Sequence, residues 1–147
     1  MPSLREQLSE DPTKREAVID DALTVLDQEV ADKSGLTGMA IKAAYKMVKG
    51  IKPGFIREVV ANLLDDFVDA LDPIYQEAIE KGEKPGSYLE RHRSRVADDL
   101  LSITDRRADR AKNRAIKSAY SKLRGTAKKH VESAAPRLGA LLERHAS

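Results

Sequence analysis

Lys42, Lys46 and Lys49 recur at i, i+4 and i+7, a spacing that sets three ammonium groups on one face of a helix. Lys117, Ser121 and Arg124 repeat the pattern further along, and Lys128 follows one turn later. Rows of cations like these neutralise phosphates, so Lys42, Lys46, Lys49, Lys117, Arg124 and Lys128 form the candidate polyanion-binding set. Arg106, Arg107, Arg110, Lys112, Arg114 and Lys129 surround the second row. Asn and Gln are scarce beside both rows, which points to weak sequence preference in any nucleic-acid contact. A solubilising helix face opposite an apolar one, partnered by acidic helices of the same chain, is the simpler reading of the pattern.

The carboxylates come in two matching sets, Asp20, Asp21 and Asp27 and then Asp98, Asp99 and Asp105. A converging carboxylate pair can split its pKa values for acid–base work or hold a divalent cation. Neighbouring helical residues point about 100° apart, however, so Asp20 and Asp21 do not converge. A solvated helix face, or partnership with nearby arginines, is the simpler expectation, and it extends to Asp65, Asp66, Asp69 and Asp72. His92, His130 and His145 fall in no zinc or di-iron spacing, so no metal site and no cofactor is expected. The segment 35–38 (GLTG) lacks the preceding strand that a phosphate loop requires and marks a helix stop and restart instead. No nucleophile elbow, P-loop or dinucleotide fingerprint is present, so no catalytic residue is assigned. Tyr45 and Tyr120 lie on the apolar sides of their helices and suit core edges, with the hydroxyl reaching a polar partner.

The elements that must position these residues are helical. The chain has 147 residues, 41% hydrophobic and 34% charged, with only 4% aromatic residues and neither Trp nor Cys. Such a composition builds one domain (1–147) with an aliphatic core, outside the membrane-spanning and disordered classes. The absence of Cys fits a reducing compartment, and the polar start lacks a signal-peptide core, so a cytoplasmic location is expected. Net charge is +2, unevenly spread: 1–105 holds 14 basic and 21 acidic residues, net −7, whereas 106–147 holds 12 and 3, net +9. The two poles can attract each other within the fold or face different partners.

Apolar residues recur at helical spacing almost throughout, and no strand alternation of useful length appears. Ser3 with Glu6 caps a short opening helix, and Asp11-Pro12 opens the next, which stops near Gly35. A third helix runs over 36–49, and 52–54 (KPG) breaks it. The stripe Ile56, Val59, Val60, Leu63, Leu64, Phe67, Val68 and Leu71 marks a central helix over 53–71. Asp72-Pro73 is expected to restart or kink the chain, 82–86 to act as a linker, and Ser87 with Glu90 to cap a long helix. A basic helix follows from Asn113, and a last one from Pro136. Ile56, Val60, Leu63, Leu64, Phe67, Leu100, Ile103, Ile116 and Leu123 are the expected core.

Residues 40–50 (AIKAAYKMVKG) and 115–125 (AIKSAYSKLRG) match at six of eleven positions. Upstream, 18–27 (VIDDALTVLD) matches 96–105 (VADDLLSITD) in the same order, and downstream Leu63-Leu64-Asp65 echoes Leu141-Leu142-Glu143. Collinear echoes of this kind point to an internal repeat. The expected architecture is all-α: a bundle of six to seven helices in two pseudo-symmetric three-helix halves, 11–71 and 87–146, bridged by 72–86.

Four stretches carry a resemblance to known sequences: 32–42 (DKSGLTGMAIK) through 52–54 (KPG), 104–107 (TDRR), 128–131 (KKHV) and 136–142 (PRLGALL). On them the chain resembles a family of uncharacterised small helical bacterial proteins. The resemblance spans most of the chain and implies a compact helical fold, with no activity or site residue. Three functional readings follow, in order. The first is a non-enzymatic helical interaction module, with a protein partner or self-association. The second is a nucleic-acid-associated protein using the paired basic helices. The third is a carrier of an apolar ligand between helices, and an enzyme ranks below all three. The lack of Trp and Phe beside the lysines weighs against a membrane-surface role.

Overall fold

A computed structural model describes residues 2–146. Among them are seven helices and no strand: α1 (Leu4–Leu8), α2 (Pro12–Asp32), α3 (Gly35–Lys49), α4 (Phe55–Glu80), α5 (Pro85–Arg91), α6 (Arg93–Arg110) and α7 (Arg114–His145). The starts follow local chemistry. Ser3 caps α1 by accepting the Glu6 N–H, and the Asp11 carboxylate accepts from the N–H groups of Thr13 and Lys14 ahead of α2. Asn113 does the same for α7. Each cap satisfies donors that the first turn cannot bond internally. Gly54, at φ 73°, supplies the left-handed residue that turns the chain from α3 into α4.

Several expected boundaries differ. Pro73 does not restart the chain, and α4 runs through it for 26 residues; α7 likewise runs through Pro136 for 32. A mid-helix proline removes one hydrogen bond and costs about 3 kcal/mol. Both prolines are exposed, while Ile74, Tyr75 and Ala78 just beyond Pro73 are fully buried, as is Ala135 beside Pro136. Packing on the inward faces outweighs the loss. Ser87 is not a cap: α5 opens at Pro85 behind Lys84. The long helix expected from Ser87 is split at His92, whose ring stacks on Tyr88 with centroids 4.3 Å apart.

The tightest core lies where α1, the second half of α4 and α5 meet, around Leu4, Ile74, Tyr75, Tyr88 and Leu89. Of the expected core residues, Leu64, Leu100 and Ile103 are buried, whereas Ile56, Val60, Leu63, Phe67, Ile116 and Leu123 are only half-buried. The outcome has a physical reason for three of these, because Val60, Leu63 and Phe67 wall an internal crevice rather than a filled centre.

α5 crosses α7 at two buried glycines with no side chain between them. A Cβ on Gly139 would stand 2.9 Å from Gly86 Cα, and one on Gly86 would stand 3.0 Å from the Gly139 carbonyl oxygen. Gly125, also within α7, has nothing within 4 Å of such an atom. Gly139→Ala should therefore destabilise the protein by about 1–3 kcal/mol through overpacking. Gly125→Ala should stabilise it by up to about 1 kcal/mol through helix propensity. Urea midpoints of the two variants check both signs.

Candidate binding crevice

The crevice of about 370 Å³ lies between α2, α4, α6 and the second half of α7. Ala22, Val25, Leu26 and Val30 come from α2, Val60, Leu63, Leu64 and Phe67 from α4, and Leu100 and Leu101 from α6. Val131, Ala134, Leu138 and Leu141 close it from α7, and Ile41 of α3 covers one edge. Helical periodicity places these residues, since each stripe repeats every three or four positions. The chain has two Phe and no Trp to fill space between four aliphatic stripes, so the inward faces meet around a gap.

Glu29, Lys33, Thr104 and His130 are the polar residues that line it. Glu29 accepts from Lys33 Nζ at 3.3 Å and from Arg137 Nη1 at 3.1 Å, with its side chain only 13% exposed. Thr104 Oγ1 lies 2.6 Å from the Tyr120 hydroxyl and donates to it, because the Tyr120 proton goes to Asp105. His130 is the exception. Its Nε2 is buried and has no hydrogen-bond partner among the described residues. Burial holds the imidazole pKa below its usual 6.5, helped by Lys33 and Lys129 and opposed by Glu29, so the neutral ring is favoured. A buried nitrogen without a partner costs stability unless a bound group meets it. Nothing in the sequence distinguished this histidine from the other two, because its environment is assembled from four helices.

The basic rows separate into two groups. Lys49 pairs with Asp27 at 3.6 Å, Arg124 with Asp105 at 2.8 Å and Lys128 with Asp98 at 3.1 Å. Lys42, Lys46 and Lys117 are exposed and form no ion pair among the described residues. The aspartates that could have converged do not: Asp20 meets Arg57, and Asp21 meets Arg144 and His145. Asp65, Asp66 and Asp69 meet Arg15, Arg107 and Arg5. No group of three His, Asp or Glu residues suited to a metal occurs among the described residues.

Each tyrosine of the matched segments joins an aspartate. Tyr45 donates to Asp27, with Lys49 alongside 4.9 Å from the ring centroid. Tyr120 donates to Asp105 at 2.5 Å, with Arg124 bonded to the same carboxylate. The Arg124 guanidinium, then the Tyr120 hydroxyl, hold the Asp105 pKa below the usual range. A third cluster joins Glu77 to Arg95 and Tyr88, which draw its pKa down to about 2. Glu77 ties α4 to α5 and α6.

His130 gives a pH signature. The unfolded chain takes up a proton below the usual 6.5 that the folded ring resists, so stability falls as pH drops from there toward the lowered folded value. Asp21, whose pKa Arg144 lowers, loses its contribution only below the usual 3.8. His130→Leu should raise stability by about 1–2 kcal/mol at neutral pH and flatten the slope just below the histidine range. Urea titrations of both proteins across that window check it.

A search of curated proteins finds no match, and a search of solved structures finds none. A family profile does match, over residues 4–146, which is almost the whole chain. The chain belongs to DUF6918, a family of unknown function.

Proposed function

We propose that the protein binds an apolar ligand carrying one hydrogen-bonding group, with the apolar body in the α2–α4–α6–α7 crevice and the polar group at His130. The observation that carries this reading is the pairing of an aliphatic crevice with one buried nitrogen that lacks a partner. A crevice of about 370 Å³ falls within the range of small-molecule sites. Its lining is almost entirely aliphatic, so the ligand gains by leaving water. The other polar groups at the wall are already bonded, so His130 selects the head group.

The test is uptake of a fluorescent polyene fatty acid by delipidated protein, set against Ala22→Phe and Ala134→Phe. Each substitution places a ring in the crevice. Each should weaken uptake by about tenfold or more while the helical circular dichroism is kept. Failure of the unmodified protein to take up the probe, or equal uptake by both filled variants, would falsify the reading.

A second reading keeps Lys42, Lys46 and Lys117 as cations for a polyanion, with Lys49, Arg124 and Lys128 released from their aspartates on contact. Its support is the exposure of the first three. We also infer that the chain arose by duplication of one helical unit. The aspartate–tyrosine–cation clusters at Asp27, Tyr45 and Lys49 and at Asp105, Tyr120 and Arg124 support this, because they fall at matched positions.

A further inference from the structure

We propose that α3 and the facing first half of α7 form a docking surface for an anionic lipid bilayer. Gly38 is the only buried residue in the whole of α3. Leu36, Met39, Ala40, Ala43 and Met47 are all exposed and fall within an arc of about 100° around the helix. The exposures are large: Leu36 is 87% accessible, Met39 67% and Met47 45%. They are the exposed large hydrophobic residues among those described. Opposite them, Ile41, Tyr45 and Val48 are half-buried and hold the helix to the body. The outward stripe is not required by that packing: where α3 has Met39 and Met47, the matched segment of α7 has Arg114 and Lys122.

Charge decides the partner. Neither Gly35–Lys49 nor 114–131 contains an Asp or Glu. Lys42 and Lys46 lie along one edge of the apolar stripe on α3, and Lys117 and Lys122 are exposed on the adjoining α7. An apolar stripe edged by unpaired lysines matches the interface of an anionic bilayer, where side chains enter the acyl boundary and ammonium groups meet lipid phosphates. The lack of Trp and Phe beside the lysines weighed against such a role, but Leu36 and Met39 are apolar and exposed enough to enter the acyl boundary in their place. A second copy of this chain fits poorly, because face-to-face packing would oppose lysine to lysine. A nucleic acid would press its phosphates on the apolar centre.

The experiment is flotation of the intact protein with phosphatidylcholine vesicles, with and without phosphatidylglycerol. Binding is expected to the mixed vesicles and not to phosphatidylcholine alone. Lys42→Gln with Lys46→Gln should reduce it about fivefold per lysine, ~25-fold together. Leu36→Ser with Met39→Ser should reduce it by about tenfold or more. All four side chains are exposed, so the variants should fold. As an independent reading, Met39→Trp places a lone tryptophan in a chain that has none. Its emission should shift to the blue on mixed vesicles and be quenched by brominated acyl chains. Ala134→Phe, which fills the crevice, should leave vesicle binding intact and so separates this surface from ligand uptake. The inference is overturned by equal binding to both vesicle types, by indifference to both double variants, or by an unshifted Met39→Trp emission. Binding of duplex DNA or RNA without vesicle binding overturns it as well.

Discussion

The fold depends on the contact between Gly86 and Gly139. Two helices can approach until backbone meets backbone only where both lack a Cβ; here Gly86 fills the space that a Gly139 side chain would need, and the Glu143 carboxylate with the Gly139 carbonyl fills that of Gly86. That approach lets Glu143 accept the Gly86 N–H at 3.2 Å and carries Tyr88 and Leu89 into the core. It also fixes the second half of α7, the segment that brings His130, Val131, Leu138 and Leu141 to the crevice. A bulkier residue at the crossing would move that wall outward, and the crevice with it.

Around this crossing the helices are tied by arginines. Arg5 and Arg15 reach from α1 and α2 to the aspartates of α4, and Arg107 reaches it from α6. Arg137 and Arg144 join the end of α7 to Glu29, Asp32 and Asp21 of α2. Pairs as exposed as Arg5–Asp69 and Arg107–Asp66 each contribute little. Together they set which helix lies beside which, and the forked guanidinium suits this better than an ammonium does. The acidic front and basic tail of the sequence thus meet within the fold, while Lys42 and Lys46 of α3 stay outside the network.

The readable parts of the sequence were those that act locally. Ser3, Asp11 and Asn113 cap helices because a side chain bonds its own next turn, and Lys52-Pro53-Gly54 breaks the chain wherever it stands. The bounds of α3 followed from the same short-range logic, whereas which arginine meets which aspartate is decided by the assembled helices. Pro73 and Pro136 misled because local cost was outweighed by burial of Ile74, Tyr75 and Ala135, which only the assembled fold decides. Ser87 is no cap because α5 already begins at Pro85, a residue preset for the first helical turn. The apolar stripe of α4 was visible, but not that half of it faces a crevice. Periodicity reports which side of a helix avoids water and says nothing of how well the opposing faces fill the space between them.

The weak seating of α3 has a consequence in time. A 15-residue helix that buries a single glycine, joined to the body through Gly35 and Gly54 at positive φ, has little to lose by detaching. Its opening free energy must lie well below that of the whole molecule, so its amide hydrogens exchange with solvent while those of α7 are still protected. Ile41 leaves the crevice edge each time this happens. That edge of the crevice can then widen by the local opening of one segment, without global unfolding.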